Sequence, residues 1–101
     1  MEDQNTKQIV FKYDEDKNIT QLAKYVKSTY GQHYAQAKIQ TTEFLIDSGL
    51  GTGFCIGNII KYAQRYGKKG TAEDARQDLM KVLHYALIQL YVHDKENNNS
   101  D

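Results

Sequence analysis

The sequence predicts a mainly α protein, a small bundle of about four helices with a short N-terminal extended arm or strand. Three observations lead there. The 101-residue chain has no proline, so its strongest helix breaker is missing. Glycines other than Gly57 fall between stretches rather than inside them. Apolar residues within those stretches recur at three- and four-residue spacing, the period of a helix with one buried side.

Residues 1–18 form the arm. Ile9, Phe11 and Tyr13 alternate with Val10 and Lys12, a strand-like pattern, and Asp14-Glu15-Asp16-Lys17 reads as a turn. Asn18 can cap a first helix from about Ile19 to Tyr30, ended by Gly31. Its buried stripe is Ile19, Leu22, Ala23 and Val26. A second helix is expected over Thr41–Ser48, with Phe44 and Leu45 inward and Gly49 as its stop. Gly49-Leu50-Gly51-Thr52-Gly53 reads as a flexible loop. A third helix should run from about Phe54 to Tyr66 and close at Gly67. The fourth has the clearest start: Thr71 followed by Asp74 resembles a capping box with Asp in place of Glu or Gln. Leu79, Val82, Leu83, Ala86, Leu87 and Leu90 then give the best core stripe in the chain. The domain proper is therefore 19–94, and residues 95–101 make a polar, frayed tail.

Composition narrows the function classes. Thirteen Lys plus Arg balance thirteen Asp plus Glu, so no global field favours long nucleic acid. One cysteine cannot form an internal disulfide, which excludes a stapled secreted scaffold. No apolar run is long enough for a bilayer, and no basic start followed by an apolar stretch suggests a secretory signal. The expected place is the cytoplasm. A chain this small often gains burial by assembling, so a homo-oligomer is expected.

The segment from Gly57 to Gly70 holds four cations, Lys61, Arg65, Lys68 and Lys69, and no carboxylate. A neutral protein with one concentrated basic patch suggests a small anion as partner. Asn58, Lys61, Tyr62 and Arg65 share one helix face, while Ile56, Ile59, Ile60 and Ala63 lie largely on the other. Arg can grip phosphate through two parallel hydrogen bonds, Lys adds a point charge, and Tyr62 can stack on a base. The same pattern also describes a solvated face with snorkelling cations. Gly67-Lys68-Lys69-Gly70-Thr71 is not a P-loop, although the helix start that follows could bind phosphate. On the last helix Asp78, Lys81 and Tyr85 form a second polar stripe. Asp78 could pair with Lys81 along the helix or orient Lys61 or Arg65 across the bundle.

Carboxylate pairs Glu43/Asp47 and Asp74/Asp78 are sparser than helical Mg²⁺ sites use, so no metal is expected. His33, His84 and His93 show no ligand spacing with Cys55, itself expected to be a buried apolar residue. Tyr30, Tyr34, Tyr62, Tyr66 and Tyr85 fall around the proposed site, suited to stacking or to subunit edges.

His33-Tyr34, Ile39, Phe54-Cys55-Ile56-Gly57-Asn58-Ile59-Ile60-Lys61-Tyr62, Arg65, Gly67-Lys68-Lys69, Asp78-Leu79-Met80-Lys81 and His84-Tyr85 together resemble the SaV-like small phage proteins of unknown function. One relative in that family is a phage nucleotide kinase without a P-loop. The likeness covers about residues 32–90 and implies a phage or prophage origin, a small helical fold and oligomers. It fixes no activity. The family pattern places an acidic residue directly after the Ile that follows His-Tyr; here that position is Gln40, and the next acidic position is Glu43. A missing carboxylate weakens the case for Mg²⁺-assisted phosphoryl transfer and leaves the phosphate-gripping half intact.

The expected function is therefore an oligomeric nucleotide binder that sequesters a small nucleotide, such as a cyclic signalling nucleotide of host defence, without a cofactor. Lys61, Arg65, Lys68 and Lys69 would hold phosphate, and Tyr62 with Tyr34 or Tyr85 the base. Asn58 and His33 would add polar contacts. The rivals are a nucleoside monophosphate kinase, which would need Mg²⁺, and a protein-interaction module.

Overall fold

The computed structural model describes residues 9–98. It contains α1 (Glu15–Tyr30), α2 (Ala35–Asp47), α3 (Gly51–Arg65) and α4 (Ala72–Asn97). The main packing joins α3 to α4; α2 leans on α3, and α1 touches α4 and α2 more lightly. The chain is broad and open, 45 × 44 × 25 Å, with a radius of gyration of 16.2 Å. A compact chain of this length would have about 13 Å. No helix among the described residues is long and apolar enough to cross a membrane.

Helix starts are earlier than the sequence pattern suggested. Asp14-Glu15-Asp16-Lys17 is not a turn. Asp14 adopts a left-handed conformation (φ 60°), its carbonyl accepts from the Asn18 N–H at 2.9 Å, and α1 begins at Glu15. Two acidic residues in the first turn suit the positive end of the helix dipole. Residues 9–14 form no strand, and residues 1–8 of the expected arm lie outside the described residues. Helix α2 starts at Ala35, not Thr41, because Ala35-Gln36-Ala37-Lys38 are good helix formers. Gly51, Thr52 and Gly53 are helical, not a flexible loop. Gly51 is buried, and a Cβ there would lie 3.2 Å from both Ile46 Cγ1 and Val92 Cγ2. Its bare backbone lets α2, α3 and α4 converge.

The α4 start follows the predicted geometry. Thr71 Oγ1 accepts from the Asp74 N–H at 3.1 Å, and the Asp74 carboxylate accepts from the Thr71 N–H at 2.9 Å. Gly67 and Gly70, both with positive φ, shape the connection from α3. Helix α4 then continues through Asn97, into the expected tail, whose residues 99–101 lie outside the described residues.

The inward faces differ most from expectation. The apolar residues buried in the described part are Ala35, Cys55, Met80 and Val92. Leu79, Leu83 and Leu87, assigned to the core, are each 44% exposed, and Leu90 is 59% exposed. Ile19 and Phe44 are exposed as well. On α3, Ile56 and Ile60 face out while Asn58, Tyr62 and Cys55 face in. Helix α3 thus turns its Asn58–Tyr62 side inward and leaves Ile56 and Ile60 outside, while Ile59 stays half-buried.

The α4 cap gives a direct test. Thr71→Ala should cost about 1 kcal/mol in denaturant unfolding at neutral pH, the usual value of a lost cap hydroxyl. The Thr71 backbone and side-chain hydrogen bonds hold the Asp74 carboxyl below its ordinary range. Its contribution is therefore full above the unfolded carboxyl pKa of about 3.9 and is lost as pH falls through the lower folded value. Asp74→Asn should flatten that acid limb of the stability profile.

Candidate functional site

The site is built on the α3–α4 pair. Arg65 closes α3, and Asp78 sits in the second turn of α4. Arg65 donates to Asp78 Oδ1 from Nη2 at 2.7 Å and from Nε at 3.1 Å. Asp78 is only 3% exposed, whereas Arg65 keeps an open flank to solvent. Of the sequence alternatives, Asp78 takes Arg65 across the bundle rather than Lys81 along the helix. The guanidinium is raised further above its ordinary range by the hydrogen bond to Asp78, an effect opposed by desolvation. Arg65 is thus committed first to a carboxylate, not to a phosphate. Neither bond uses Nη1, which donates to no partner among the described residues.

Tyr62, one turn before Arg65, is the centre of a charged aromatic cluster. Arg65 Cζ lies 4.9 Å, Lys61 Nζ 5.0 Å and Lys81 Nζ 5.6 Å from its ring centroid. The Tyr85 ring runs nearly parallel to it at 6.2 Å. An aromatic face attracts cations through its quadrupole, so Tyr62 gathers side chains that would otherwise repel. With cations and Tyr85 around it, Tyr62 serves as a platform for charge rather than an open shelf for a base. Phe54 and His84 extend the cluster around Tyr85, and Tyr25 of α1 meets His84 edge-on at 6.0 Å.

Two hollows adjoin this cluster. A groove of about 510 Å³ runs between the helices, with Tyr25, Tyr62, His84 and Tyr85 among its walls and Lys38, Glu43 and Lys81 at its polar points. A smaller hollow of about 290 Å³ is lined by Arg65, Lys69, Gly70, Asp74, Gln77, Asp78 and Lys81. Lys81 lines both. One hollow is aromatic and apolar; the other is polar with an excess of cations.

Six of the sequence candidates, Tyr62, Arg65, Lys69, Asp78, Lys81 and Tyr85, line these hollows. Five do not. Lys61 approaches the cluster only through the Tyr62 ring, and Lys68 lies on the exposed turn. Asn58 donates back to the Phe54 carbonyl at 2.9 Å, which uses its amide within α3. His33 and Tyr34 pack edge-on against each other in the exposed α1–α2 connection. Sequence reasoning missed Tyr25, Lys38 and His84 as groove residues. Tyr25 falls among the apolar positions of α1, three residues after Leu22 and next to Val26, a spacing that could have marked it.

Burial pushes the Tyr25 and Tyr85 hydroxyls up, with Tyr62 adding to both. Burial lowers the His84 pKa, and Lys38 lowers it further, so its imidazole is held neutral. Cys55 is fully buried and its thiol is raised by burial, which fits a packing role. Three of the four carboxylates weighed as metal ligands are engaged elsewhere, Asp74 in the cap, Asp78 with Arg65, and Asp47 with Lys95 at 3.5 Å, while Glu43 lines the groove. Among the described residues no three His, Cys, Asp or Glu side chains converge.

Two outcomes follow from this geometry. Arg65→Met leaves a buried carboxylate without its counterion, whereas Asp78→Asn leaves a cation that already reaches water. Melting should drop on the order of 10 °C for Arg65→Met and clearly less for Asp78→Asn. For His84 the folded pKa lies below the unfolded value of about 6.5, so acidification favours the unfolded chain. Stability should fall as pH is taken below about 6.5, and His84→Gln should remove that part of the fall.

A family model described as a protein of unknown function, DUF3310, matches residues 28–87. No curated protein and no solved structure matches the chain. The matched stretch begins late in α1 and carries Arg65, Asp78, Lys81 and both hollows' central residues, and it spans more than half of the sequence. The chain belongs to the DUF3310 family.

Proposed function

We propose that this protein binds a small nucleotide, with the base in the aromatic groove and the phosphate in the cationic hollow. The observation that carries the reading is the position of Lys81 on the wall common to both hollows. A nucleotide has this same two-part chemistry: a flat apolar ring system joined to an anion. Tyr25, His84 and Tyr85 offer the base edges and faces, and Lys69, Lys81 and Nη1 of Arg65 offer the phosphate charge-assisted donors. Tyr62 and Asp78 act one step back, by positioning Lys81 and Arg65. A neutral His84 can present a donor or an acceptor to a base without adding charge.

The reading extends to a use. The resemblance to SaV-like phage proteins implies a phage setting, in which one use of such a binder is sequestration of a host nucleotide, such as a cyclic signalling nucleotide, in the cytoplasm of an infected bacterium. Sequestration needs enclosure and donors but no chemical step. Asp74 and Asp78 are already engaged with Thr71 and Arg65, which favours binding over Mg²⁺-dependent turnover.

Incubation with a panel of mononucleotides, dinucleotides and cyclic nucleotides, with and without Mg²⁺, should raise the melting temperature for at least one of them. Chromatography of the recovered ligand should return it unchanged. Lys81→Ala should weaken that binding by about tenfold or more, the value of one charge-assisted contact. Lys68→Ala, outside both hollows, should change it by no more than about twofold. A panel without any shift, or equal binding by Lys81→Ala, overturns the nucleotide reading. A ligand recovered phosphorylated or cleaved overturns sequestration and leaves the kinase.

A further inference from the structure

We infer that the outer face of α4 is a self-docking surface, on which a second copy of this chain lays its own α4 antiparallel. The inference does not rest on the nucleotide reading. Its starting point is the apolar stripe Leu79, Leu83, Ala86 and Leu90, spaced four, three and four residues apart. That is the seam spacing of paired helices over two heptads. The three leucines lie exposed in the single chain, on a face of α4 turned away from Asp78 and Val92, two of the three residues it buries, the third being Met80. Leu87 widens the strip on one side.

The pattern selects the occupant. The seam reads the same from both ends: about a two-fold axis between His84 and Tyr85, Leu79 meets Leu90 of the second copy and Leu83 meets Ala86. Small Ala86 lets the helices approach at the centre, and leucines fill the ends. The charges follow the same symmetry. Arg76, exposed at the N-terminal end of the strip, comes within one residue of level with Asp94, exposed at the C-terminal end. Among the described residues Arg76 donates to Asn18 Oδ1, from Nη2 at 3.2 Å. A parallel arrangement would instead set Arg76 against Arg76 and Asp94 against Asp94. Self-complementarity of this kind is what an isologous two-fold interface requires.

The chain as a whole leaves more surface open than its size requires. The chain exposes 7919 Å². A compact protein of its 11.6 kDa mass would expose about 5,800 Å², a surplus of roughly 2,000 Å². A standard interface covers about 800 Å² on each partner.

The full chain should sediment as a dimer, or as a multiple of dimers, across about 1–100 µM. Leu83→Glu should give a monomer with unchanged helical circular dichroism, while Ile60→Glu, an equally exposed apolar site on α3, should leave the α4-mediated dimer in place. Arg76→Glu should weaken dimerisation by about tenfold, and adding Asp94→Arg should restore it, since the swap rebuilds the pair only in the antiparallel register. A monomer throughout, an odd-numbered assembly, or an assembly that survives Leu83→Glu overturns the inference. Failure of the charge swap to restore pairing overturns the antiparallel register.

Discussion

The orientation of the central helix pair depends on one ion pair. Asp78 is buried on α4, and a buried carboxylate is costly unless a cation and hydrogen bonds meet it. Arg65 is the cation that does so, with two nitrogens on a single oxygen. To reach Asp78 the Arg65 side of α3 must face α4. Tyr62 and Asn58 lie on that side, so they turn inward, and Ile56 and Ile60 turn outward. The Gly67–Gly70 connection, with its two positive-φ glycines, is short enough to hold the two ends in register.

This arrangement places polar and aromatic chemistry between the helices and leaves apolar surface outside. Cations that would be scattered on a solvent face are instead gathered around Tyr62, next to a groove of about 510 Å³. The two features have one cause. A helix has a limited circumference, and if its charged stripe faces a neighbour, its apolar stripe must face something else. For a chain with so few buried apolar side chains, packing within one copy supplies little of the hydrophobic stabilisation a domain of this size needs. The exposed leucines of α4 are apolar surface that this packing leaves uncovered.

Among the site residues, charge and spacing made Arg65, Lys69, Lys81, Asp78 and Tyr85 legible in advance as a polar group of interest. Their roles were less legible. Arg65 was expected on a phosphate and is bound to Asp78; Tyr62 was expected under a base and instead carries cations. Asn58 satisfied its own amide on Phe54, a local choice invisible to face-counting. His33 and Tyr34 carried family resemblance, yet they sit in the α1–α2 connection, away from both hollows. Lys38 and Tyr25 enter the groove only because α1 stands against α4 and α2 against α3.

Local sequence alone determined the helical class, the number of helices, the Thr71–Asp74 cap and the glycine turn before it, because each depends on neighbours a few residues away. Helix starts at Glu15, Ala35 and Gly51 were missed where acidic or small residues propagate a helix beyond its apolar stripe. Which face of α3 and of α4 points inward was decided by tertiary structure. Hydrophobic spacing ranks faces by water avoidance, whereas Asp78 imposes a demand for a counterion from another helix. That demand is a property of two residues thirteen positions apart, and it exists only once the hairpin has closed.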